Sequence, residues 1–163
     1  MKMLRRTGSS RHSRATAEAM RVGGSIFAAI VLATTTALAD PESDSEVNAH
    51  KAALDLAGAF SNEGFKIRDG HWAGTIKPHD HALIAVNLYA GNQYWFSVGA
   101  TDAAKKLAIN VYDETGKLVE TESYNEDGKA AAGFSPTSSG QYYVMVDLVD
   151  GNESSVCLVY SYK

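Results

Sequence analysis

Short apolar alternations, each broken by a glycine-bearing turn, follow one another from Gly74 to Lys163. Three stretches show it best: 88–96 across Gly91, 111–119 across Gly116, and 139–146 after Gly140. Strand side chains point alternately to two faces, so an every-second-residue apolar pattern marks strands with one face buried. Repeated at short intervals with turn residues between, the pattern confines the chain to an all-β antiparallel sandwich or jelly roll of seven to eight strands. The strands fall at 72–76, 82–89, 93–98, 107–112, 117–124, 130–134, 141–148 and 154–162. Asp113 to Gly116 suits a type I turn closed by a left-handed glycine, joining 107–112 to 117–124 as a hairpin. The alternation assigns Leu83, Ala85, Tyr94, Phe96, Val98, Leu107, Ile109, Val111, Tyr143, Met145, Val156, Leu158 and Tyr160 to the core.

The sandwich stands behind an export signal. Arg5, Arg6, Arg11, Arg14 and Arg21 precede an apolar run over 26–38, which ends in Ala37-Leu38-Ala39. This is the layout of a secretory signal over 1–39, cleaved after Ala39, and Met20 alone would start an ordinary one. A spanning helix needs about 20 apolar residues, so no membrane span is expected after cleavage. Six of the fifteen Lys and Arg, and one of the nineteen Asp and Glu, lie in the signal. The other 124 residues therefore carry nine basic and eighteen acidic side chains, a formal charge of −9. That length fits one domain, and an acidic surface excludes nucleic acid as a partner. Cys157 is the only cysteine, so no intrachain disulfide forms; within a strand it reads as a small buried hydrophobe.

Between signal and sandwich, 40–44 is a polar leader and 45–66 a helical segment packing on the sandwich, which occupies 67–163. Ser43 and Glu46 have capping-box spacing, and Val47, Leu54, Ala57 and Phe60 recur at near-helical spacing over 45–61.

From Gly74 to Val146 the chain resembles the bacterial pre-peptidase C-terminal domain, a secreted β-sandwich often appended to exported peptidases. The residues that carry the resemblance are Gly74-Thr-Ile76, Ala90 to Phe96, Leu107 to Gly116, and Phe134 to Val144. The resemblance implies a domain without catalysis; taken with the export signal and the strand pattern, the chain reads as a bacterial, periplasmic or secreted module with an interaction or accessory role, no cofactor, and an unknown protein or glycan partner. Some members hold calcium through acidic residues around an Asp-Leu-Asp-Leu-like strand. Here that strand reads Lys105-Lys-Leu-Ala-Ile-Asn-Val111, with Lys and Ala at the acidic positions.

Two residue groups offer chemistry of their own. His71, His79, Asp80 and His81 put three of the five histidines within eleven positions. His-x-His on a strand shares a face, and His71 would approach across a hairpin linking 72–76 to 82–89. Three imidazoles and a carboxylate suit a transition metal such as zinc, copper or nickel. The competing reading is a solvated turn set by Pro78. Trp72, Trp95, Tyr124 and Tyr142 form a second group, an aromatic platform for a sugar face if they point away from the core; strand aromatics that are simply buried are the alternative. No Gly-x-Ser-x-Gly elbow occurs, and Cys157 has no base beside it in sequence. The reading is thus a non-catalytic binding module, with a metal-binding protein and a carbohydrate-binding module as alternatives.

Overall fold

The computed structural model describes residues 43–163. The expected signal, its cleavage after Ala39 and most of the leader lie outside the described residues. The chain order is α1 (Asp44–Ala59), a 3-10 turn (Ser61–Glu63), β1 (Lys66–Ile67), β2 (Trp72–Ile76), β3 (His81–Leu88), β4 (Tyr94–Ala100), β5 (Ala104–Tyr112), β6 (Glu122–Glu126), β7 (Lys129–Phe134), β8 (Gly140–Gly151) and β9 (Ser154–Tyr162).

The fold is an antiparallel β-sandwich preceded by one helix. Six strands form one sheet in the order β1-β9-β4-β7-β6, with β2 also on β9; three form the other in the order β3-β8-β5. The main core lies between them. Phe96, Val98, Val156 and Leu158 from the larger sheet meet Leu88, Leu107, Val111, Val144, Val146 and Leu148 from the smaller. At about 1.5–3 kcal/mol per buried aliphatic or Phe side chain, this layer supplies the main drive for folding.

The alternation places the β4, β5 and β9 core residues as expected, but β3 and β8 face the other way. Ile84, Val86, Tyr142 and Val144 point inward, whereas Leu83 is 58% exposed and pairs with Met145 on the uncovered face of the three-stranded sheet. The reason is local. Positions 82–86 and 142–146 are apolar at almost every residue, so the pattern does not fix which parity faces in, and a one-residue slip inverts every side chain.

Two links also differ from expectation. After β5 the chain turns at Asp113, whose Oδ1 accepts from Thr115 N (2.9 Å), Thr115 Oγ1 (2.6 Å) and Lys117 N (3.0 Å). Gly116 takes φ 82 there, as the turn requires. Only a single bridge, Tyr112 to Leu118, follows. The chain then crosses to the larger sheet, where β6 pairs with β7. Likewise β2 and β3 are not a hairpin: β2 pairs with β9 and β3 with β8, in different sheets.

The helix begins at the capping box: Glu46 N donates to Ser43 Oγ (3.3 Å), and Ser43 N to Glu46 Oε2 (3.1 Å). It lies on the outer face of the six-stranded sheet, but not through the large residues its sequence suggests. Val47 and Leu54 are 47% and 37% exposed, while Ala49, Ala53 and Ala57 pack against Cys157 and Val159. Gly99 explains the choice. A Cβ there would stand 2.7 Å from both the carbonyl carbon and the Cβ of Ala52, so strand and helix backbones nearly touch. Only a stripe of alanines fits so narrow a gap. Phe60, at the helix end, stacks on Trp95 (centroids 4.2 Å apart, planes 8° apart).

Candidate metal centre

Cys157 lies mid-way along β9, in register with Ala73 of β2 on one side and Gly99 of β4 on the other. Both neighbours are small, so the thiol stands clear between them under the helix. It is fully buried. The helix carries His50 beside the Ala49–Ala53 stripe, half-buried. Two residues before Ala73, exposed His71 enters β2 on the same side of the sheet. The two imidazoles stack at 3.9 Å between centroids, 27° apart.

One ligand atom from each of His50, His71 and Cys157 lies within 4.8 Å of the others, the one such group of three among the described residues. Metal–sulfur and metal–nitrogen bonds of about 2.3 and 2.0 Å hold ligand atoms roughly 3.3–3.7 Å apart. An ion would therefore draw the group inward by about 1 Å, and exposed His71 is the member with room to move. A thiolate with two imidazoles suits zinc or copper and is a poor match for calcium or magnesium, which take oxygen ligands. As a nucleophile Cys157 is badly placed, since an attacked substrate atom must reach the sulfur and the helix closes over it.

Of the histidines singled out in the sequence, only His71 belongs to this group. His79 takes φ 62 in the link between β2 and β3, and its N–H donates to Leu148 O (2.9 Å). Asp80 uses Oδ1 to cap His81 N (2.9 Å). His81 opens β3 opposite Asp147, on the outer face of the three-stranded sheet. His71 and His81 thus lie on opposite outer faces of the sandwich, because the link between their strands changes sheets. His50 went unremarked in the sequence; its signal is its place on an alanine-faced helix, legible only once the sheet beneath is known.

The aromatic platform does not form. Tyr142 is 6% exposed in the core, with its hydroxyl donating to Ser138 O (2.9 Å). Trp72 packs against the same core, and Trp95 is covered by Phe60 on the opposite face of the sheet. Tyr124 is exposed on β6, donating to Glu126 Oε2 (3.0 Å), a bond that raises its pKa above the ordinary value. An open cleft of about 340 Å³ runs between the sheets, lined by His71, Arg68, Trp72, Ile84, Leu158 and Tyr160; of the His–His–Cys group only His71 reaches it. The Arg68 guanidinium lies 5.4 Å from the Tyr160 ring centre. Burial raises the Tyr160 pKa, and the neighbouring Arg68 charge opposes the rise.

No protein-family model matches the chain, and no curated protein matches it. Among solved structures it is similar to Aeromonas hydrophila PliG, a periplasmic lysozyme inhibitor of g-type lysozyme. The identity is 15% and the TM-score 0.43, over 62% of this chain and 90% of that one. Among the described residues, no helix is long and apolar enough to cross a membrane.

Proposed function

We propose that this chain is an exported bacterial β-sandwich module that acts by binding rather than by catalysis, and that a transition-metal ion at His50, His71 and Cys157 is what it binds. The convergence of those three side chains from a helix, a loop and a strand carries the reading. Ion-binding side chains from separate elements meet at one point only if the fold brings them there. The layout of residues 1–39 supports export. The motifs between Gly74 and Val146 that resemble the pre-peptidase C-terminal domain fit such a non-catalytic module. The closed surroundings of the one thiol support a binding role over a hydrolytic one.

The test uses the chain as recovered from the envelope fraction of its host. Its intact mass should start at Asp40, and metal analysis after purification should find one transition-metal ion per chain. His50→Ala or Cys157→Ser should remove the ion, while the double variant His79→Ala, His81→Ala should keep it. A chain that takes up no zinc or copper, or one that loses metal only when His79 and His81 are replaced, refutes the assignment. Turnover of a hydrolysable substrate that is lost with one side chain would refute the non-catalytic part.

A further inference from the structure

The three ligands differ in how far water reaches them. Cys157 is buried on a strand paired along both sides, His50 is half-buried on the helix, and His71 is exposed on the loop that leads into β2. Gly70, immediately before His71, takes φ 90, a backbone angle that gives the loop its turn. The group also stops at three: no fourth His, Cys, Asp or Glu joins it among the described residues.

Resting on the metal reading above, we infer that the centre is a three-coordinate copper site, in which Cys157 and His50 are the fixed ligands and His71 is the one that opens to admit and release the ion. The donor count argues for copper. Structural zinc closes a tetrahedron with four protein ligands, and three-ligand zinc sites keep a water for reaction. Two imidazoles and one thiolate in a trigonal set instead match copper, and soft thiolate favours the cuprous ion. The surroundings of the sulfur argue the same way. Ala49 and Ala53 of the helix, with Ala73 and Gly99 beside it, give Cys157 an apolar shell. Such a shell shields a copper–thiolate bond from water and tunes its potential. The stack argues for the role of His71. Two rings lying nearly parallel at 3.9 Å cannot both hold one ion in their planes, so one must turn, and His71 is the more exposed of the two.

Apo protein, prepared by chelation under reducing, oxygen-free conditions, is loaded with Zn(II) and then titrated with Cu(I) held by a chromophoric chelator. Cu(I) should displace zinc at one equivalent, and excess Zn(II) should not displace copper. Oxidation to Cu(II) should give a visible thiolate-to-copper charge-transfer band, absent from Cys157→Ser. His71→Ala should still take up copper but release it measurably faster than the parent. His50→Ala, which leaves the strand core untouched, should lose tight binding and so covers the case of a poorly folded Cys157→Ser. Zinc that resists Cu(I), or a His71→Ala variant that binds no better than His50→Ala, overturns the inference and leaves a metal protein. Failure to bind either ion overturns both.

Discussion

Gly99→Ala tests the closeness of helix and sheet, on which the centre depends. The new Cβ would sit 2.7 Å from the Ala52 carbonyl carbon and Cβ, and closer to the Ala53 nitrogen. Carbon atoms rest at about 3.5–4.0 Å, so α1 must lift by about 1 Å. The obstructing atoms are mostly helix backbone, which cannot rotate aside as a side chain can. Overpacking of this kind costs about 1–3 kcal/mol, and replacing a strand glycine returns about 0.5–1 kcal/mol. The net loss is about 1–2 kcal/mol, or roughly 4–8 °C in Tm for a domain of this size. Gly58→Ala is the control. A Cβ there meets nothing within 4 Å, and the residue is helical, so stability should rise by up to about 1 kcal/mol. Urea and thermal unfolding of both variants measure this, and metal titration measures whether lifting the helix carries His50 away from Cys157. If Gly99→Ala is as stable as the parent and binds metal equally well, the helix is not seated as described.

Three further outcomes follow from other contacts. Tyr94→Phe should cost about 1–2 kcal/mol in urea unfolding, because the buried hydroxyl accepts from Tyr89 N (2.9 Å) and Asn92 Nδ2 (3.1 Å) and its loss strands the backbone donor. The Thr115 hydroxyl, then the Lys117 N–H, holds the Asp113 carboxyl below its ordinary 3.8. A lowered folded-state pKa gives stability that is full above the ordinary value and lost as pH falls through the folded one. Asp113→Ala should therefore be less stable than the parent at neutral pH, with the gap closing below about pH 3.8; an equal gap at pH 7 and in acid would refute the role of the charge. Leu83→Glu should change stability by no more than about 0.5 kcal/mol, while Val86→Glu, burying a carboxylate in the core, should cost more than about 3 kcal/mol or prevent folding. The reverse order would restore the sequence parity of β3.

What could be read in advance follows the information each segment carries. β5 alternates cleanly, so Leu107, Ile109 and Val111 could be placed from pattern alone. β3 and β8 are apolar on both faces, and parity there is set by the sheet opposite, which a single strand does not encode. The capping box of α1 is local and therefore legible; its alanine face follows from Gly99, far along the chain. The His50–His71–Cys157 group is the extreme case. His71 stood out and Cys157 was notable as a solitary thiol, but nothing in their spacing ties them to His50. That link needs β9 to pair with β2 and β4 at once, and the helix to lie across all three.

The position of β9 also dictates an order of events. It is synthesised last of the strands described, yet it is the one that β1, β2 and β4 all pair with. A chain delivered only as far as β8 holds the three-stranded sheet and the β6–β7–β4 arm, but β1 and β2 have no neighbour and the sulfur is missing. The larger sheet must wait for its centre, so a nascent copy stays loose until its final stretch emerges. Until then the helix has no strand to lie on at Cys157 and Val159, so α1 docks only after β9 has closed the sheet.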